Sequence, residues 1–159
     1  MTQQPVDPRS RVERRTGTIL VTGATGLVGR AVCRALADRK LKFRALVRVS
    51  SDRSTIEGTG AWMNEGDLLR PESLDAALDG VEVILHLAGL VKNKDARALH
   101  AVHVDGTRAL IERSKARRVV ALSSDTVERT HRSPYADASG RWRRCWPTAI
   151  ERSWSCARR

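Results

Sequence analysis

Apolar positions recur along the chain with two alternating periods. Thr18 to Val21 is a short β-rich run, and Phe43-Arg44-Ala45-Leu46-Val47 reads as a second strand. Between them Val28, Val32 and Leu36 recur at four-residue spacing, as on one face of a helix. A weaker third strand around Ala61-Trp62-Met63 ends at Gly66-Asp67-Leu68, and Pro71-Glu72-Ser73-Leu74 opens a short helix with proline in its first turn. Val81 to Leu87 is a strong fourth strand. A long helix is expected from about Ala96 to Ser114, and Val119-Val120-Ala121-Leu122 is a fifth strand. Strand and helix alternate throughout, which predicts an α/β fold: a parallel sheet with helices on both faces.

The glycines refine that picture. Gly23, Gly26 and Gly29 stand three residues apart between the first strand and the first helix. Glycine there allows a tight turn and close approach of a ligand to the backbone. The helix behind it offers unpaired N–H groups and a positive dipole end to a diphosphate. The plainer alternative is a turn that merely uses glycine, but the position of the triplet between strand and helix favours a binding loop. At the end of the second strand an acid would bind the ribose 2′-hydroxyl of NAD. Arg48 stands there instead, with Ser50, Ser51 and Arg53 nearby. A guanidinium favours a 2′-phosphate, so NADP(H) is the expected cofactor, with NAD(H) the alternative and a merely solvated arginine the bland reading.

Taken together, residues 17–138 resemble the NAD-dependent epimerase/dehydratase family, the extended or atypical short-chain dehydrogenase/reductases. TGATGLVG at 22–29 resembles the family's TGxxGxxG loop, and ALVR at 45–48 the end of its second strand. GDL at 66–68 is similar to its adenine-side Asp motif, HLAG at 86–89 to its fourth-strand motif, and VHVDGT at 102–107 to a VNVxGT motif. Ser123-Ser124 resembles the serine pair ending the fifth strand, and Pro134-Tyr135 the entry to a YxxxK helix. The resemblance implies a Rossmann-type doubly wound parallel sheet, here its N-terminal part of about five strands. It also implies a cofactor site of Gly23, Thr25, Gly26, Leu27, Val28, Gly29, Arg48, Asp67, Leu68, Leu87, Ala88 and Gly89. By the same carry-over Tyr135 is the acid/base and Ser124 hydrogen-bonds the reacting oxygen of a small-molecule substrate, while hydride passes to or from nicotinamide.

Two positions depart from the family pattern. His103 replaces the motif's asparagine. Ser139, four residues after Tyr135, replaces the lysine whose positive charge would help the tyrosine phenol, with its ordinary pKa near ~10, to ionise. The chain thus resembles an enzyme but is expected to bind cofactor weakly and to be catalytically impaired. A non-catalytic NADP-binding regulatory or structural module is the first alternative.

Charge and composition bear mainly on the two ends. The 159 residues carry a formal +11, and a hydrophobic share of 41% is ample for a core. Residues 1–16 hold +2 and residues 139–159 hold +5, from six arginines against Glu151, which leaves an ordinary +4 for 17–138. Residues 1–16 read as a solvated basic tail without the apolar core of a secretory signal. The longest apolar stretch, Val81 to Val91, is too short to span a bilayer. Three cysteines, Cys33, Cys145 and Cys156, make neither a disulfide framework nor a zinc site, and a reducing cytoplasm is the expected setting. No membrane and no specific nucleic acid is expected as a partner.

Residues 139–159 have two readings. Trp142, Trp146, Ile150 and Trp154 recur every four residues among arginines, as in a basic partner-binding helix, although Pro147 interrupts it. The genetic code offers the other. If one base is missing within codon 139, each hidden codon is the third base of one residue plus the first two of the next. With G or C in most open third positions the tail then reads K-R-A-V-A-A-V-L-A-D-G-D-R-A-V-V-V-V-R-A. That restores YxxxK, an apolar helix, a turn and a valine strand. A frameshifted tail that leaves the fifth strand with an open apolar edge is therefore the favoured expectation. Sequencing the DNA across codons 138–140 tests it: an alternative frame open through the tail is expected, and one closed by stop codons would rule the frameshift out.

Overall fold

The computed structural model describes residues 18–90, 95–123, 137–138 and 141, and the backbone of 151–156. Strands β1 (Thr18–Thr22), β2 (Phe43–Val47), β3 (Trp62–Glu65), β4 (Val81–His86), β5 (Arg118–Ser123) and β6 (Glu151–Cys156) form one sheet in the order β3-β2-β1-β4-β5-β6. Every neighbouring pair is parallel. The strand order reverses between β1 and β4, which is the topological switch point of a doubly wound sheet. The five expected strands are all present. β6 adds a sixth within the tail segment, and its pairing occupies the edge of β5 that was expected to stand open. Its backbone supplies partners for the β5 amides and carbonyls that an open edge would expose.

Helix α1 (Leu27–Asp38) follows β1, and a 3₁₀ turn, Arg53–Ile56, follows β2. The proline-led start at 71 is a 3₁₀ turn, Pro71–Leu74, that runs into α2 (Asp75–Leu78). The long helix expected over 96–114 is present but not uniform. It consists of α3 (Ala96–His100), a π-helical segment (Ala101–Gly106) and α4 (Thr107–Arg113). Asp95 starts it by accepting the Arg97 N–H at 2.9 Å. A π-segment widens the helix locally and is common at functional sites.

Alternation along the strands builds two cores. Leu20, Leu46 and Ile84 face one side with Leu74, Leu78, Leu110 and Val119. Ile19, Val21, Ala45 and Val47 face the other with Cys33, Leu36, Phe43 and Ile56. Burial on both faces explains why β1 and β2 read as nearly continuous apolar runs rather than as alternating ones. The Cys33 thiol is fully buried, and desolvation pushes its pKa up to about 11, so it packs as a small hydrophobe and is not reactive.

Candidate functional site

A cleft of about 190 Å³ opens at the C-terminal ends of β1, β2, β3 and β4. This is the switch-point crevice in which such sheets bind ligands. Nine of the expected cofactor residues line it: Gly23, Thr25, Gly26, Arg48, Asp67, Leu68, Leu87, Ala88 and Gly89. Leu46, Ser51, Gly66, Leu69, Leu90 and Val102 complete the wall. Leu69 and Leu90 directly follow motifs readable in the sequence. Val102 comes from the π-segment, whose inward reach no spacing rule could have shown.

The glycine turn is set by close backbone approach. Gly23 has φ +70° and sits so tightly against β4 that a Cβ would lie 2.6 Å from Ala88 N. A side chain there would be strained in conformation and would clash with backbone. Gly26 N–H donates to Gly23 O at 3.0 Å and closes the turn, and Gly26 then caps α1. Gly29 does not face the cleft. It is buried beneath the turn, where a Cβ would run into the Gly23 carbonyl, so it brings the helix up against the loop. Leu27 and Val28 do not line the cleft either, and their side chains are 79% and 42% exposed. Their backbone N–H groups lie in the first turn of α1, where no intrahelical partner exists, and no acidic residue occupies that turn. A diphosphate therefore fits this end of the cleft: it would meet amide donors and the positive helix terminus with no side chain in the way.

The far end is polar. Arg48, just past β2, is exposed and is the one cation among the described residues lining the cleft. Its backbone N–H donates to Ser51 Oγ at 3.2 Å and its carbonyl accepts from Ser51 N–H at 3.0 Å, which folds Ser51 back toward the mouth. The nearest acid after β2 is Asp52. Its Oδ1 accepts from Ser54 N at 3.1 Å and from Ser54 Oγ at 2.6 Å, capping its own 3₁₀ turn. Arg53 pairs with Glu65 at the end of β3. Asp67 accepts the Leu69 N–H on Oδ1 at 3.0 Å, which fixes the loop after β3.

Beneath the crevice a buried histidine joins three elements. His86 at the end of β4 bonds through Nδ1 to Thr22 Oγ1 at 2.7 Å and through Nε2 to Thr107 Oγ1 at 2.9 Å. Thr22 Oγ1 also accepts the Ala88 N–H at 3.4 Å. The network ties β1, β4 and α4 together just below the glycine turn. Desolvation, with a smaller push from the charge of His103, lowers the His86 pKa to about 4. Ser124 and Tyr135, the expected catalytic pair, lie outside the described residues, as does Ser139. Among the described residues no cluster of His, Cys, Asp or Glu could hold a metal, and no helix is long and apolar enough to cross a membrane.

The model of the NAD dependent epimerase/dehydratase family matches residues 19–142. Sterol demethylase protein B of Methylococcus capsulatus is 42% identical over 112 residues, which are 67% of this chain and 34% of that relative. Ceramide reductase of Caulobacter vibrioides is 35% identical over 122 residues, 76% of this chain and 38% of that relative. A crystal structure of a short-chain dehydrogenase/reductase superfamily protein from Agrobacterium tumefaciens with bound NAD superimposes with a TM-score of 0.68 at 30% identity. That match covers 80% of this chain and 43% of the other. The chain thus spans about a third of the length of these two curated relatives.

The buried histidines make stability depend on pH. His86 binds a proton readily when unfolded but not when folded, so the unfolded state takes up more protons below its ordinary value of 6.5. His103, also lowered, acts in the same direction. Stability is complete well above pH 6.5 and falls on acidification, by up to about 1.4 kcal/mol per pH unit from His86, with His103 adding in the same direction. Urea titrations at pH 7, 6 and 5 check this in a window where most carboxylates stay ionised. A flat profile would contradict a buried neutral His86.

Proposed function

The chain belongs to the NAD-dependent epimerase/dehydratase family, and on that premise we propose that its cleft holds a nicotinamide dinucleotide, with NADP(H) preferred over NAD(H). The observation that carries the reading is the joint placement of the glycine turn, the open amides of α1, Arg48 and Asp67 around one crevice. The Agrobacterium tumefaciens neighbour, solved with bound NAD, supports the dinucleotide class. Arg48 supports the phosphorylated form, because the only acid close behind β2, Asp52, is occupied in capping Ser54.

Each part of the cofactor would meet its own group. The α1 amides and the Gly23–Gly26 turn would hold the diphosphate. Arg48 and Ser51 would meet the adenosine ribose and its 2′-phosphate, Asp67 and Leu68 would flank the adenine, and Leu87 to Gly89 would line the path toward nicotinamide. When bound, the cofactor supplies a hydride acceptor or donor. Tyr135 would move the proton at the substrate oxygen and Ser124 would hydrogen-bond that oxygen. Ser139, four residues after Tyr135, brings no positive charge that would help the phenol ionise, so turnover would be lost or greatly slowed.

For the family reaction itself, the relatives favour an oxidoreductase acting on an apolar, lipid-like molecule. Relatives at 42% and 35% identity bear the names sterol demethylase protein B and ceramide reductase. A dTDP-glucose 4,6-dehydratase stands at 22% identity, where likeness extends to the fold.

Binding of NADPH and NADH, followed by nucleotide fluorescence, tests the cofactor reading. NADPH is expected to bind about tenfold or more tightly than NADH, and Arg48→Ala to remove most of that difference by weakening NADPH alone. Equal affinities in the unsubstituted chain, or an equal loss for both nucleotides in R48A, would overturn the preference.

A further inference from the structure

His103 stands on the π-segment at the position where the related motif has asparagine. Its side chain is nearly covered, with 8% of the residue exposed. Nε2 lies 3.1 Å from the Leu90 amide nitrogen and 3.0 Å from the Leu90 carbonyl oxygen. The ring packs directly under Gly89, where a Cβ would lie 2.7 Å from Cε1. Gly89 and Leu90 both line the cleft. A single ring nitrogen cannot accept from the N–H and donate to the C=O at once. One tautomer therefore holds the amide and the other the carbonyl, and the protonated ring can hold only the carbonyl.

We infer that His103 is a positioning residue that sets the Leu90 backbone at the wall of the cleft, and that its protonation loosens the hold of that wall on the cofactor. The second half rests on the cofactor reading above. An asparagine at 103 could serve both groups together, its side-chain oxygen accepting the N–H while its NH₂ donates to the carbonyl, and it would not titrate. Histidine in place of asparagine thus gives this chain a proton-sensitive wall that an amide would not.

The charged and titratable surroundings support a titration of the ring itself. From β4, His86 is the group coupled to it by charge. On its own helix, His100 and Asp105 face each other at 3.2 Å, with Arg108 3.9 Å from Asp105, all exposed. On the loop after β3, Asp67 is engaged with the Leu69 N–H. Burial holds His103 below its ordinary 6.5, with its hydrogen bond to Leu90 opposing. A nucleotide lying over Gly89 and Leu90 removes more water and disfavours the charged ring further, so proton uptake opposes binding. Affinity is therefore level while the ring of the free chain stays neutral and falls as pH drops through its pKa, which burial holds below 6.5.

The test compares the full 159-residue chain with His103→Asn. NADPH affinity is measured from pH 8 to 5, and the Leu90 amide is followed by ¹⁵N NMR without nucleotide. The unsubstituted chain is expected to lose severalfold more affinity over that range than H103N, because titration of the nucleotide itself is common to both. The Leu90 amide is expected to titrate in the unsubstituted chain and to stay fixed in H103N. Parallel affinity profiles, or a Leu90 amide that does not move with pH, would overturn the inference. Absence of NADPH binding at every pH would sink the cofactor reading, and the second half of this inference with it, whereas the Leu90 titration decides the first half alone.

Discussion

Backbone against backbone at the switch point is the contact on which the rest of the site depends. Gly23 lies against the Leu87–Ala88 peptide across the β1–β4 junction, and Gly29 lies beneath the Gly23 carbonyl. These two approaches bring strand, turn and helix so close that the α1 amides open directly onto the crevice. A single methyl at either position would push the helix or β4 away, and overpacking of that kind costs about 1–3 kcal/mol in stability. The functional cost would be larger, because the amides would no longer converge on one point.

Beneath that contact a polar network fixes the spacing. Thr22, His86 and Thr107 bring β1, β4 and α4 to common hydrogen bonds in a region otherwise packed with leucine, isoleucine and valine. A buried histidine with both ring nitrogens engaged is satisfied and specifies one register of the three elements. Closer to the mouth, His103 grips the turn after β4 through Nε2. The crevice is thus walled by backbone that glycines allow to approach and histidines hold in place.

Much of this was legible in the sequence because it rests on local rules. Five strands follow from apolar runs, and the glycine triplet marks the turn since few other residues tolerate Gly23's φ or Gly29's contact. Arg48 was found because strand ends in a parallel sheet point at the crevice, and Asp67 because GDL at 66–68 resembles the family's adenine-side motif. Other features depend on tertiary packing. The π-segment that brings Val102 and His103 inward has no sequence period. Leu27 and Val28 were expected at the site from the motif, yet their side chains point away and only their amides can serve it. β6 lies in a segment whose sequence lacks the family's pattern. It nevertheless covers the positions, 153–156, where the displaced reading frame would place its run of valines.

The crevice between β1 and β4, and not the arginine-rich segment 139–159, is the proposed meeting place of this chain and its nucleotide. Backbone ¹⁵N chemical-shift mapping during addition of NADPH tests it most directly. The largest changes are expected in the amides of residues 23–29, 48–51, 67–69 and 87–90. Changes confined to residues 139–159, or suppressed by moderate salt as for a nonspecific polyanion contact, would contradict it.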